Sequence, residues 1–485
     1  MKFKKLLIIL FATCGMVAQA QTKVTGSEVA QKYSLRACID YALNNNISLK
    51  QSQMAVENGI VTLNQAKVAN LPTANGQFNL NGNAGRNVDP FTNSVVTQTI
   101  GTNNMGVGLS MPIYNGGRIK NTVDRSQLSL EAAQMDIATQ KNNVSLQVAV
   151  AYLNVLSTED LIDVAQKQLE VTRLQLDRTA ILIRSGALPE TNIFDLEAQQ
   201  ANDELSLINA QNNHESAILT LKQAMNAPTE MIVQVSRIDV PDPNIINYGE
   251  SPNAIYETAV GYLPEIKAGD LRVKAADKNI EIAKSVGLPT ISATTNWGTA
   301  VSSVAKKLIA STPTVNQIPV SAEFEGQTIP FVINFPQTNY TSEGIPYFKQ
   351  LTGNQNLNLG LSARIPIFNG YNQKYQTQAA KIQKMQVNLQ NDATKLQIKQ
   401  NIDQAYITML NAQKRYSATL MQTNALERSF KAAESRYNAG SSTFVDYNLA
   451  KTNLDRAKSN LIVAKYDYIF RIKILDFYQN KPLAF

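Results

Sequence analysis

Residues 104–118 read NMGVGLSMPIYNGGR, and residues 356–372 read NLNLGLSARIPIFNGYN. Pro112 aligns with Pro366, Gly116 with Gly370, Ala151 with Ala405 and Tyr152 with Tyr406, always at one displacement (366 − 112 = 254). In both copies apolar and polar residues alternate until Pro-x-aromatic-Asn-Gly, where a long polar segment of helical character begins. That segment holds no Gly or Pro from Arg118 to Ser185, or in the copy from Tyr371 to Ala439. At ~1.5 Å rise per residue, such a helix reaches ~100 Å. An ordinary globular domain has no use for a helix of that length. The duplicated grammar predicts a strand feeding a rod, built twice into one pseudo-symmetric body.

Upstream of each copy the pattern repeats again. Tyr33 to Ala69 predicts a helical segment, with Leu35, Cys38, Ile39, Ala42 and Leu43 at helical spacing behind a Ser34 N-cap. Its copy begins near Ser251, where Pro264 stands in place of Ile47 and is expected to restart the helix. Leu71-Pro72 matches Leu288-Pro289, so Pro72, Pro112, Pro289 and Pro366 mark four strand–helix junctions. The strands after Pro72 and Pro289, and those before Pro112 and Pro366, alternate with period two, which implies one wet face and one apolar face. Four strands are too few to close a barrel, and open edges cannot face lipid. A membrane-spanning form therefore needs several chains, and three supply twelve strands. The second strand connection, within 301–357, carries 37 extra residues (254 − 217) and reads as an enlarged extracellular loop.

The long helices are expected to end at Gly186 and Gly440, and helical pattern resumes shortly after each. Thin apolar stripes in an Asn/Gln/Ala-rich background suit coiled-coil packing around a wet lumen. Residues 1–20 read as a secretory leader, with MKFKK as its charged part and Ala18-Gln19-Ala20 as the cleavage site. Cys14 sits in a poor lipobox, so lipidation is not expected there. The organisation predicted is leader 1–20, first repeat 21–230, linker 231–253 running as a belt outside the helices, and second repeat 254–485.

Composition excludes several function classes. Loss of Lys2, Lys4 and Lys5 lowers the net charge from +7 to about +4, too dispersed for a nucleic-acid binder. One histidine, His214, and one cysteine outside the leader, Cys38, leave no Cys/His metal cluster and no disulfide. His214 reads as a solvated residue of a polar helix, and Glu159-Asp160 and Asp203-Glu204 read as helix-surface charges. No phosphate-binding loop is present. No catalytic residue, metal or cofactor is predicted.

This order of elements resembles the TolC, or outer membrane factor, family over nearly the whole chain after the leader. The local matches are ALNNNISL at 42–49, PIYNGG and PIFNGY at the junctions, and RYNAGSSTFVDYNLAKTNLDRAKSNLIVAKYDYI at 436–469. The resemblance implies a mainly α fold with a β-barrel portion. Three chains would form a twelve-stranded outer-membrane barrel that continues as a periplasmic α-helical barrel. It also implies a periplasmic adaptor protein and an inner-membrane transporter as partners, with the duct serving tripartite efflux or type I secretion. In the family the inner helices pinch shut near the periplasmic tip, with acidic residues a few positions after the turn glycine. Those positions fall on Asp446 and on Leu449, where the family carries a second Asp, and on Asn192 and Asp195 in the first half. Ser442 stands where an arginine supports the closed gate. Gly186 and Gly440 would be the adaptor-docking turns. A ring of Asp446 and Asp195 carboxylates is expected to raise some of their pKa values and attract divalent cations. Asp455 is expected to lie away from the constriction. The alternative reading is a non-conducting trimeric stalk or adhesin whose long loop is the binding head.

Overall fold

A computed structural model describes residues 32–88, 93–187, 189–237 and 249–481. The leader and Cys14 lie outside the described residues, as do residues 238–248 of the inter-repeat linker. In chain order the first half contains β1 (Lys32–Tyr33), α1 (Leu35–Asn45), α2 (Ile47–Val68), β2 (Thr73–Asn83), β3 (Arg86–Val88), β4 (Val95–Thr97), β5 (Ile100–Asn115), α3 (Arg118–Arg184) and α4 (Thr191–Met225). After β6 (Gln234–Val235), the second half contains α5 (Pro252–Tyr262), α6 (Pro264–Ser285), β7 (Thr290–Ser302), β8 (Lys306–Ala310), β9 (Thr314–Phe324), β10 (Gln327–Gln337) and β11 (Tyr340–Gly344). It closes with α7 (Tyr347–Gly353), β12 (Asn356–Arg364), α8 (Asn372–Asn438) and α9 (Phe444–Tyr478). The duplication is exact in length for the helices, since α3 and α8 each span 67 residues and α4 and α9 each span 35.

The helical segment before the first strand is broken in both halves. Pro264 restarts the second copy, as its missing N–H requires. In the first copy Asn46 turns to an extended conformation, and its Oδ1 accepts from the Leu49 amide at 3.1 Å. A side-chain cap thus starts α2 where Pro264 starts α6. The expectation of an unbroken first copy is corrected on this point.

The chain divides into two compact units that cut across the repeats: residues 1–52, 137–263 and 396–485 form the first, and residues 53–136 and 264–395 the second. In the second unit β2, β5, β7 and β12 make one antiparallel sheet in the order β12-β7-β5-β2. The pairing of β5 with β7 joins the two halves. Gly76, Val107, Trp297 and Leu357 form one cross-strand row, and Ala74, Leu109, Thr295 and Leu359 the next. The opposite face carries Asn75, Gly108, Asn296 and Asn358. The apolar rows are open to the surroundings, with Leu359 74% exposed and Trp297 45%. The sheet ends at β2 and β12, whose outer edges carry no partner strand among the described residues.

The junctions are less symmetric than their motifs. β5 runs through Pro112 to Asn115 with a register shift between Pro112 and Tyr114, whereas β12 stops at Arg364, before Pro366. Both turns use two successive left-handed residues, Gly116-Gly117 and Gly370-Tyr371. A Cβ on Gly116 would lie 2.6 Å from that of Leu288, while Gly370 faces open space. Ion pairs Lys278–Asp124 and Lys384–Asp277 tie α6 to α3 and α8 within this unit.

The 37-residue insert is not an irregular loop. β8 pairs with β11 and β9 with β10, which makes a long two-stranded ribbon around a turn at Glu325-Gly326. α7 anchors its base: buried Gln350 donates to the carbonyls of Ser302 and Ile345 and accepts from the Ser302 amide. Alternating Thr, Ile, Val and Phe among scattered prolines formed strands because each proline sits where the ladder needs no donor.

In the first unit, α3 pairs antiparallel with α4 and α8 with α9. Thr172 contacts Asp203 and Thr158 contacts His214, while Arg415 meets Asp467 and Phe430 meets Tyr447. The core gathers Leu35, Cys38, Val148, Tyr152, Leu221 and Ile469 from four helices. Tyr152 is fully buried, and its hydroxyl donates to the carbonyl of Ser236 at 2.8 Å. This bond fastens the end of the parallel pair β1–β6, through which the linker joins the start of the chain. Arg237 extends the clasp by bridging Asp160 and Asp163 of α3. Tyr406, its duplicate, is only half-buried, so the repeat conserves the residue and not its task.

Candidate functional site

Both long helices end in the same hydrogen-bonded cap. At Gly186 (φ 76°) the Ala187 amide donates to Leu182 O and the Gly186 amide to Ile183 O. At Gly440 (φ 72°) Ser441 donates to Arg436 O and Gly440 to Tyr437 O. This pair of bonds requires a left-handed residue, which glycine supplies without steric cost. Neither glycine would meet a neighbour with an added Cβ, so both turns stand open.

The helices that follow start differently. Thr443 caps α9 and accepts from the Asp446 amide at 3.2 Å, while the Asp446 carboxylate accepts from the Thr443 amide and hydroxyl and from the Ser442 hydroxyl. These bonds from Thr443, then Ser442, with the Arg436 charge beyond, hold the Asp446 carboxyl below the usual carboxylate range. Asp446 therefore has a local task that its gate assignment did not include. It completes a capping box at the positive end of α9. The first half lacks this device: Pro189 stands at the position of Thr443, and α4 starts without a side-chain cap.

Asp195 and Leu449 lie one turn into α4 and α9, and both are exposed, Leu449 by 62%. Asn192 lies in the first turn of α4, and its side chain is outside the described residues. Arg436, Ser442, Asp446, Leu449 and Asn453 share one groove between the end of α8 and the start of α9. The groove thus unites Asp446 and Leu449 with the basic end of α8, while Asp195 and Asn192 belong to the other turn. Pro72 and Pro289 immediately precede β2 and β7.

Behind the turns lies a group that the sequence reading misassigned. Asp203 is buried, not a helix-surface charge. Its Oδ2 receives Lys451 Nζ at 2.9 Å and the Thr172 hydroxyl at 2.5 Å, and its Oδ1 receives Gln199 at 2.8 Å. Lys451 also reaches Asp455 at 3.1 Å, so Asp455 is part of a packed ionic cluster and not a neutral bystander. Burial pushes the Asp455 carboxyl up, against the pull of Lys451. Three helices meet there: α3, α4 and α9. His214 likewise is half-buried, with Nδ1 3.1 Å from the Thr158 hydroxyl, not solvated in a polar helix. Nothing in the spacing of Asp203 or Lys451 marked them, because burial of a charge depends on which helix comes to cover it.

The architecture defines a class. One four-stranded sheet takes two strands from each half and has an apolar face, and each half adds a 67-residue helix. Residues 38–227 and 255–471 match the outer membrane efflux protein family, and the chain belongs to that family. Outer membrane protein TolC of Escherichia coli (strain K12) is 23% identical over 335 residues, which covers 68% of this chain and 60% of TolC. The fold superposes on the solved structure of CusC with a TM-score of 0.71 at 15% identity, over 94% of this chain and 96% of that one. It superposes on the CmeC outer membrane channel of Campylobacter jejuni with a TM-score of 0.69 at 18% identity, over 93% and 87%. No helix among the described residues is long and apolar enough to cross a membrane.

Proposed function

We propose that three copies of this chain form a twelve-stranded barrel in the outer membrane and a passive exit duct for efflux or type I secretion. The carrying observation is the sheet β12-β7-β5-β2, apolar on one face and, among the described residues, unpaired at both edges. Unsatisfied strand edges are untenable in lipid, and pairing β12 with β2 of the next copy removes them. The leader directs export, and the helices stand in the periplasm. There the exposed turns at Gly186 and Gly440 receive an adaptor protein that connects the duct to an inner-membrane transporter. Asp446 and Leu449, with Asp195 and Asn192, narrow the periplasmic opening.

Mass photometry of detergent-extracted protein should give a trimer, and planar bilayers should show discrete conductance steps. A monodisperse monomer, or silence in bilayers from verified trimers, would sink this reading.

A further inference from the structure

The two faces of the β9–β10 ribbon differ: one mixes Val315, Pro319, Pro330, Val332 and Pro336 with Gln317, Asn334, Ser321, Thr328 and Glu323, and the other is a nearly unbroken apolar stripe. Opposite pairs Val320/Phe331, Ile318/Ile333 and Ala322/Ile329, followed by Phe335, place seven apolar side chains on one side. Phe331, Phe335, Ile318 and Ile329 are each between 44% and 52% exposed, so nothing among the described residues covers that side. An apolar stripe of this kind marks an interaction surface, and a two-stranded ribbon is marginal in water alone.

The prolines decide how a partner approaches. The turn residues Glu325 and Gly326 both have positive φ, and the adjoining pair Phe324/Gln327 closes a two-residue hairpin. Alternating from that hydrogen-bonded pair, Pro330, Pro319 and Pro336 all fall on non-hydrogen-bonded positions, opposite Ser321, Val332 and Val315. The amides at such positions point away from the ribbon, so the prolines remove outward donors from both edges. Neither edge suits strand addition, and a partner must come to the face.

Charge narrows the partner further. Residues 314–337 contain no Lys or Arg, and their two acidic residues, Glu323 and Glu325, sit at the tip. A segment lying on an anionic membrane surface draws on basic residues that this one lacks. A stripe free of charge can instead meet an identical stripe without like-charge repulsion. The ribbon grows from the connection between β7 and β12, and β12 is one of the two outer strands of the sheet, the strands that pair between copies in the trimeric reading above.

We infer that the apolar faces of the ribbons from different copies pack against one another, forming a second contact between subunits beyond the barrel. This rests on the trimeric reading above. The test uses the full-length chain with Ile333→Cys or, on the opposite face, Asn334→Cys, treated on intact cells with a short bis-maleimide. Cys38 is fully buried, and the unsubstituted chain serves as the blank. Ile333→Cys should shift the band from monomer to covalent dimer mass, and Asn334→Cys should show loss of that shift.

Mass photometry of each variant is run alongside. Trimers with no cross-link at Ile333→Cys overturn the inference alone, whether the thiol reacts with an aqueous maleimide or is shielded by lipid or another protein. Monomers would overturn the trimeric reading and the inference with it.

Discussion

The ammonium of Lys451 lies 2.9 Å from Oδ2 of Asp203, and both side chains are shut away from water. The pair links α9 to α4, and the Thr172 hydroxyl brings α3 to the same oxygen. A buried charge left without its partner cannot recover its hydration, so each half of the pair is held by the other.

Removing one partner should therefore cost more than removing both. Lys451→Met or Asp203→Ala is expected to lower stability by about 3–5 kcal/mol, and Lys451→Met with Asp203→Leu to recover much of that loss at a pH where Asp455, which also pairs with Lys451, is protonated. Thermal unfolding of the detergent-solubilised protein measures this. Equal losses in the single and double variants would show that the cluster stabilises by packing alone.

Asp455 shares Lys451, yet burial raises its pKa. Between the ordinary carboxylate value and the raised one, the folded chain holds more protons than the unfolded chain. This group's contribution to stability therefore falls as pH rises through that window and is regained on acidification. Asp455→Asn should flatten the pH dependence of unfolding there. An unchanged profile would place the raised pKa elsewhere.

Asp446 has the opposite sign. Its pKa is lowered by the hydrogen bonds from Thr443 and Ser442, so its stabilising effect is present above the ordinary carboxylate value and lost as pH falls through the lower folded one. Thr443→Ala should cost about 1 kcal/mol of cap stability. Amide exchange in the first turn of α9 should then quicken, with no matching change in α4, which has no side-chain cap.

The gate proposal needs a different control from Asp455, whose removal would disturb the ionic cluster. Exposed Asp392 on α8 replaces it. Divalent cations on the periplasmic side should reduce conductance, Asp446→Ala should weaken that block, and adding Asp195→Ala should nearly abolish it. Equal block in the double variant and in Asp392→Ala would remove these carboxylates from the opening and leave Leu449 as the better candidate.

The ribbon should be dispensable for assembly. Ser311 and Asn339 are already joined by a 2.8 Å hydrogen bond, so replacing residues 312–338 with a two-residue turn leaves β8 and β11 intact. Outer-membrane trimers should still form, as heat-modifiability on gels would show. Failure to assemble would make the ribbon a structural requirement of the barrel.

Much of the fold was legible in the chain because its signals are local and repeated. Period-two alternation marked all four sheet strands, absence of Gly and Pro bounded the 67-residue helices, and Gly186 and Gly440 marked the turns. Each depends on backbone geometry within a few residues. Tertiary structure alone decided the rest. Asn46 breaks the first helical segment because its side chain turns back on Leu49, and Tyr152 and Tyr406 diverge because different elements cover them. Asp203 and Lys451 became a buried pair because three helices close over them. Asp446, named from the family resemblance of the motif after Gly440, is bound to Thr443 and Ser442 as well. Periodicity shows which face of an element is apolar, but which charge loses its water depends on what packs across from it.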